Sequence, residues 1–104
     1  MTRPLYFIFY ILGDTNAALE AYQQSLTIAE QLVAQDAQNT GFQRDVFVSY
    51  WKMADVLDTL NQAEQAQAYW QKCLDQLLFM QRTGTLQKND VRFIKIVKQK
   101  LTRY

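Results

Sequence analysis

The sequence contains no histidine and a single cysteine, Cys73, and both scarcities exclude kinds of chemistry. Without histidine, neither a Ser–His nor a Cys–His nucleophile pair can form. A zinc site is not expected either, because its usual ligands are cysteine and histidine. One cysteine cannot form an internal disulfide, and it suits a reducing compartment. The composition therefore predicts a protein that is not an enzyme and has no catalytic, metal-binding or cofactor-binding residues.

Glycine and proline are also scarce, with three and one among 104 residues, which predicts long helices rather than strands and tight turns. A chain of this length forms one domain with a modest core. Its longest apolar run, LYFIFYIL at residues 5–12, is far shorter than the roughly 20 residues that span a bilayer. A cytoplasmic location is predicted, with export as the alternative if residues 1–12 act as a signal.

Charge is unevenly distributed, although the formal net charge is only +1. Residues 1–80 carry four basic and nine acidic side chains, whereas residues 81–104 carry seven basic and one acidic. The pattern indicates an acidic body that is followed by a basic C-terminal segment.

Apolar residues at steps of three and four predict four helices, over residues 15–35, 42–59, 63–82 and 88–102. Thr40 and Gln43 have the spacing of a capping box before the second helix. Asn61 can adopt a left-handed conformation after that helix, and Gly84 ends the third. The last helix should turn one apolar side inward, formed by Val91, Ile94, Val97 and Leu101.

The sequence repeats itself at a shift of 48 residues. Small, aromatic and turn-forming residues fall on residues of the same kind: Leu12 on Leu60, Gly13 on Asn61, Ala18 on Ala66, Tyr22 on Trp70, Ser25 on Cys73, and Leu26 on Leu74. A fixed period of this size is typical of stacked helical arrays.

At these positions the sequence resembles the tetratricopeptide repeat family, whose pattern is W-x2-L-G-x2-Y, then A-x3-F, then P. The second unit reads Y-x2-M-A-x2-L from Tyr50 and A-x3-W from Ala66, and the first keeps A-x3-Y from Ala18. It is similar to the long-helix kind found in bacterial proteins. The period exceeds the family's 34 by about four helical turns, which leaves the inward face nearly in register.

The resemblance implies an all-α fold within one domain, residues 1–104. Two antiparallel helical hairpins, residues 4–35 and 42–82, should stack as a short solenoid, and residues 88–102 should form a basic capping helix. The leading helix of the first hairpin is shortened. Cys73 is expected to be a buried structural residue, and Asp55 and Asp58 are expected to lie on a solvated face.

In this family the leading helices line a concave groove where partners bind, so the resemblance implies a non-catalytic module that binds a protein or peptide. The residues expected to line the groove are Phe7, Tyr10, Val48, Trp51, Lys52 and Asp55. Trp51 either anchors the partner or packs against the last helix or a neighbouring chain. Because Asp55 and Asp58 stand in this region, a basic or apolar ligand is favoured over an acidic peptide terminus.

Two repeats are fewer than the three or so that usually stabilise an array. Self-association, or attachment to a longer array, is therefore expected through Phe7, Phe9 and Tyr10. The alternative function is binding of nucleic acid or a membrane surface by the basic last helix. The regular apolar side of that helix favours a cap instead, so neither nucleic acid nor membrane is the expected partner.

Overall fold

The computed structural model describes residues 14–104, and within this range it contains α-helices and one short 3₁₀ turn but no strand. The α-helices are α1 (Thr15–Gln35), α2 (Thr40–Thr59), α3 (Ala63–Arg82) and α4 (Arg92–Leu101), and the 3₁₀ turn is Lys88–Asp90. The predicted all-α class is confirmed. The first leading helix predicted for the chain, from residue 4, lies outside the described residues.

The start of α2 differs from the prediction. The helix begins at Thr40, two residues earlier than expected, because Asn39 caps it by accepting a hydrogen bond from the Phe42 N–H at 3.0 Å. Asparagine is a stronger N-cap than threonine, so the predicted capping box from Thr40 does not form. Gln43 is buried and donates its Nε2 to the Ala37 carbonyl at 2.7 Å.

Two of the helices end in the same way. Asn61 after α2 has a φ of 59°, which confirms its predicted left-handed conformation. Gly84, which ends α3 as predicted, has a φ of 76°. In each case the N–H of the next residue donates a hydrogen bond to a carbonyl in the last turn of the helix. Gln62 donates to Leu57 at 2.9 Å and Thr85 donates to Met80 at 2.8 Å. These are Schellman motifs, which satisfy carbonyls that the helix leaves unpaired.

The core lies around α2, which packs against α1 on one side and α3 on the other, while α4 packs against α3. Its largest fully buried side chains are Trp70, Phe47, Leu57 and Leu77. Equivalent positions of the two repeat units are buried together, as Ala18 with Ala66 and Leu26 with Leu74 show. The two repeat units therefore bury equivalent positions in the same packing pattern.

The last helix is shorter than predicted. Residues 88–90 form a 3₁₀ turn, and the α-helix spans Arg92–Leu101. Ile94 and Val97 are buried as predicted, but Val91 is 43% exposed. The side chain that turns inward here is Asp90, because its carboxylate pairs with Arg44. Among residues 14–104, none of the helices combines the length and the apolar composition that a membrane span requires.

Candidate functional site

Helices α2 and α4 lie side by side and point in the same direction. Three contacts join α2 to α4 and the residues that flank α4, and they follow the same order along both: Arg44 with Asp90, Phe47 with Phe93, and Asp58 with Tyr104. The two residues of each pair are 46 positions apart in the sequence. The Cα atoms of α2 and α4 nowhere come within 8 Å of each other, so large side chains bridge the gap. A groove therefore runs between the two helices, and α4 takes the place that the leading helix of a third unit would take.

Aromatic side chains form the floor of this groove. The Trp51 ring lies between Trp70 and Phe93, with both centroid distances 5.4 Å and interplanar angles of 78° and 70°. Such edge-to-face pairs stabilise by about 0.5–1.5 kcal/mol each beyond their area burial. Trp51 thus packs against the last helix, which was one of its two predicted roles, yet it stays half-buried at the groove surface.

A cavity of about 180 Å³ opens beside Trp51. Side chains of α2 and one of α4 line it: Arg44, Phe47, Val48, Trp51, Lys52 and Phe93. The structure therefore brings three of the predicted groove residues together, namely Val48, Trp51 and Lys52. Asp55 is exposed one turn further along α2 and does not line the cavity. Phe7 and Tyr10, also predicted for the groove, lie outside the described residues, as does Phe9.

Three lining residues, Arg44, Phe47 and Phe93, are absent from the predicted set. Phe47 precedes Trp51 by four residues on the same helix. Arg44 precedes Val48 by four residues, so extending the predicted face of α2 by one turn would have found it. Phe93 carried no such signal, because its place depends on how α4 aligns with α2. That alignment is a property of the folded chain.

Arg44 is held in position at one end of the cavity. Its Nε donates to Asp90 Oδ2 at 2.8 Å and its Nη2 to Oδ1 at 3.3 Å, while the guanidinium carbon lies 5.6 Å from the Phe47 ring centroid. The hydrogen bond with Asp90 raises the pKa of Arg44, against the smaller opposing effect of burial. The Asp90 side chain is only 5% exposed, whereas that of Arg44 is 40% exposed. The guanidinium is thus fixed and still reachable from solvent.

Lys52 stands at the other edge of the cavity, half-buried, with its Nζ 5.9 Å from the centroid of the Tyr22 ring. The two cations are separated along α2 by about two turns. No carboxylate is among the six residues that line this cavity. Val48 and Lys52 also line a second cavity, between α1 and α2, together with Asp45. The site therefore combines an apolar wall with two cations at its rim.

Asp58 is the main correction to the predicted surface. It was expected on a solvated face, but its Oδ2 accepts from Trp70 Nε1 at 2.9 Å and from Arg103 Nη2 at 3.4 Å, and its Oδ1 accepts from the Tyr104 hydroxyl. The reason is that the Trp70 ring is fully buried and its N–H requires an acceptor. Asp55, in contrast, is exposed as predicted.

Cys73 is a buried structural residue, as predicted. Its side chain is fully buried, its thiol donates to the Phe47 carbonyl at 3.4 Å, and burial raises its pKa to about 12. A thiol held in its neutral form is a poor nucleophile. Across residues 14–104 no group of three or more cysteine, aspartate or glutamate side chains is arranged to hold a metal ion.

Three of the four basic residues of α4 lie on its outer side, whereas Lys100 is half-buried with its Nζ 5.6 Å from the centroid of the Trp70 ring. Arg92, Lys95 and Lys98 are exposed, while Ile94 and Val97 are buried against the body of the protein. This arrangement has the form of a capping helix, with one polar side over one apolar side.

Comparison with known proteins finds one family. The model of the tetratricopeptide repeat matches residues 8–32 and 48–76, which together make up just over half of the chain. The second match begins at Val48, in the groove-lining part of α2, and continues into α3. No curated protein and no solved structure matches the sequence.

Proposed function

Since the chain belongs to the tetratricopeptide repeat family, we propose that it is a non-catalytic module that binds a protein or peptide partner in the groove between α2 and α4. Repeats of this family generally mediate interactions between proteins. The observation that carries the proposal is the cavity beside Trp51, which opens on the groove and has apolar walls.

The size of the cavity favours a side chain of a partner over a small-molecule ligand. Pockets for drug-sized molecules usually measure about 300–1,000 Å³. An engineered apolar cavity of about 150 Å³ binds a single benzene ring. A volume of about 180 Å³ therefore suits one apolar side chain of a peptide. Trp51 is already held between Trp70 and Phe93, so its ring loses little freedom when a partner packs on it.

Two further parts of the proposal rest on other observations. A cytoplasmic location is supported by Cys73, which is the sole cysteine and suits a reducing compartment. Self-association through Phe7, Phe9 and Tyr10 is supported by the sequence alone, since two repeats provide less stacked surface than three. Sedimentation velocity at micromolar concentration tests it, and a stable monomer would contradict it.

The groove is tested with two variants that carry the same chemical change. Val48→Glu places a carboxylate in the cavity wall, whereas Val91→Glu places one at an exposed position outside the cavity. Proteins captured from the native host are purified, and their affinity for each variant is measured by calorimetry. We expect Val48→Glu to weaken binding at least about tenfold, a loss of roughly 1.4 kcal/mol.

Val91→Glu should bind like the wild type. Circular dichroism at 222 nm establishes that both variants are folded. If Val48→Glu and Val91→Glu bind the captured proteins equally well, the groove is not the binding site.

A further inference from the structure

We infer that a second binding site lies between α1 and α3, and that it takes an extended polypeptide segment carrying lysine or arginine. This α1–α3 groove is separate from the groove between α2 and α4, because its floor is the other side of α2. Met53, in the floor, follows Trp51 by two residues, which turns its side chain about 200° around the helix. The inference follows from the shape of the groove, the amides at its rim and the charge of α1.

The groove exists because α1 and α3 both pack on α2 but do not pack on each other. Their Cα atoms nowhere come within 8 Å. A cavity of about 390 Å³ lies between them, and its floor is formed by Leu19 and by the buried Met53 and Leu57. The Tyr69 hydroxyl on α3 donates to Gln23 Oε1 on α1 at 3.5 Å, so one long hydrogen bond crosses the groove. A ligand with its own donors and acceptors can replace such a bond.

Neutral amides dominate the rim of the α1–α3 groove. Besides Glu20 and Tyr69, the polar residues among the described lining of the cavity all carry side-chain amides: Asn16, Gln23, Gln24 and Gln65. Each amide both donates and accepts hydrogen bonds, so it matches the N–H and C=O groups of a polypeptide main chain. An extended segment presents these groups along its whole length, whereas a helix satisfies most of them internally. The rim therefore suits an extended segment better than a helical one.

The polar residues of α1 have nearly the spacing of an extended chain. Asn16, Glu20 and Gln24 follow at steps of four residues, each a rise of about 6 Å. Every second residue of an extended chain advances by about 6.6 Å. A further cavity of about 360 Å³ shares Gln23 and Gln24 with the first and reaches Ile28. From Asn16 to Ile28 the helix rises about 18 Å, which is the length of about five extended residues.

The charge of α1 favours a basic segment. Helix α1 contains no lysine or arginine, and Glu20 is the only charged residue among the described residues that line the 390 Å³ cavity. The other carboxylate of α1, Glu30, accepts from the Tyr50 hydroxyl at 3.3 Å. Lys72 on α3 lies over the Tyr69 ring, with its Nζ 5.1 Å from the centroid, and does not line the cavity. A lysine or arginine of the partner thus meets opposite charge at Glu20, whereas an acidic residue meets like charge.

The experiment uses seven-residue synthetic peptides with an acetylated N-terminus and an amidated C-terminus. The first has a central leucine, a lysine two positions to either side, and serine or threonine elsewhere. Glutamine replaces both lysines in the second peptide and glutamate replaces them in the third. Serine replaces leucine in the fourth, and the fifth is the first peptide with its three central main-chain nitrogens methylated. A sixth peptide presents leucine and two lysines on a lactam-linked helix.

Binding is measured by calorimetry and by two-dimensional amide NMR, which also detects the side-chain amides of the groove. We expect the lysine peptide to bind about tenfold more tightly than the glutamate peptide. It should bind about fivefold more tightly than the serine peptide and the methylated peptide, because these lose an apolar contact and main-chain donors respectively. Equal affinity of the methylated peptide, tighter binding of the glutamate or the helical peptide, or absence of binding by all peptides would overturn the inference.

One pair of variants tests the role of charge. Glu20→Gln should weaken binding of the lysine peptide at least about threefold and leave binding of the glutamine peptide unchanged. Asp55→Asn removes an equal charge from an exposed position outside the cavity and should change neither. An undiminished preference for lysine in Glu20→Gln would contradict the role assigned to that carboxylate.

A second pair of variants tests the amides. Gln65→Ala should weaken binding of both the lysine and the glutamine peptide about threefold, because a hydrogen bond to the main chain is lost whatever the side chains are. Gln81→Ala removes an exposed amide from the same helix outside the cavity and should have no effect. Circular dichroism at 222 nm establishes that all variants are folded. Wild-type affinity in Gln65→Ala would show that the rim amides do not hold the peptide.

The α1–α3 groove and the groove of the proposed function are tested independently. Val48 does not line the 390 Å³ cavity, so Val48→Glu should bind the lysine peptide as the wild type does. If Val48→Glu lost this binding, the peptide would lie in the groove between α2 and α4, and the inference would be wrong while the proposed function stood.

Discussion

Replacing Asp58 with alanine should destabilise the folded protein by about 2–3 kcal/mol. The main cause is the Trp70 N–H, which donates to Asp58 from a fully buried ring and would lose its acceptor. A buried donor left without a partner costs about 1–3 kcal/mol. The Arg103 side chain is 56% exposed, so its salt bridge adds at most about 1 kcal/mol.

Two matched substitutions isolate the Trp70 contribution. Asp58→Asn keeps an oxygen that can accept from Trp70, so it should cost about 1 kcal/mol less than Asp58→Ala. Asp55→Ala removes an exposed aspartate from the same helix and should stay within about 0.5 kcal/mol of the wild type. This control also measures the gain in helix propensity that alanine brings at both positions.

The assay is urea unfolding followed by circular dichroism at 222 nm, supported by thermal unfolding. A loss of about 2 kcal/mol corresponds to a fall in Tm of roughly 8–16 °C for a domain of this size. The m-value, which is the slope of the free energy of unfolding against urea concentration, should not change, because the variants expose nearly the same surface area on unfolding. The reasoning would be refuted if Asp58→Ala were as stable as Asp55→Ala, or if Asp58→Asn were as unstable as Asp58→Ala.

Three other predictions concern separate parts of the molecule. Burial raises the pKa of Cys73 from 9.0 to about 12 and that of Tyr50 from 10.0 to about 12. The stability that their neutral forms contribute is therefore complete below about pH 9 and is lost progressively up to about pH 12. Circular dichroism at 222 nm during an alkaline titration would show this loss. Gly84→Ala should destabilise by about 1 kcal/mol in urea unfolding, because the φ of 76° disfavours alanine although no atom lies within 4 Å of an added Cβ. Because α4 has the form of a capping helix, we expect the wild type not to bind DNA or anionic vesicles. If it did bind them through the basic side of α4, the binding would weaken with salt and would be lost when Lys95 and Lys98 are changed to glutamine.

The sequence predicted most of the fold because its signals are local. The three- and four-residue spacing predicted α1 to α3, and the helix ends at Asn61 and Gly84 followed from residue types that tolerate left-handed backbone angles. The errors are at helix starts. Asn39, not Thr40, caps α2. Val91 is exposed rather than inward, and a repeating apolar pattern does not reveal that the carboxylate of Asp90 is paired with Arg44.

The site was predicted only in part, for a similar reason. Val48, Trp51 and Lys52 share one face of a single helix, which spacing alone can show. The opposite wall and the pairing of Asp90 with Arg44 depend on residues 46 positions away, as does the contact of Asp58 with Tyr104. Such pairings are set by the alignment of α4 with α2, and no local pattern encodes that alignment.

The shortness of α4 has a consequence for local stability. Its ten residues are fewer than an isolated helix needs to be stable in water, so α4 is ordered only while it is docked. Phe93 belongs both to this helix and to the cavity wall. A partner that packs on Phe93 binds the docked state alone, and by mass action it opposes local unfolding of α4. Amide hydrogen exchange in α4 should therefore slow when the groove is filled, which makes the last helix a direct reporter of occupancy.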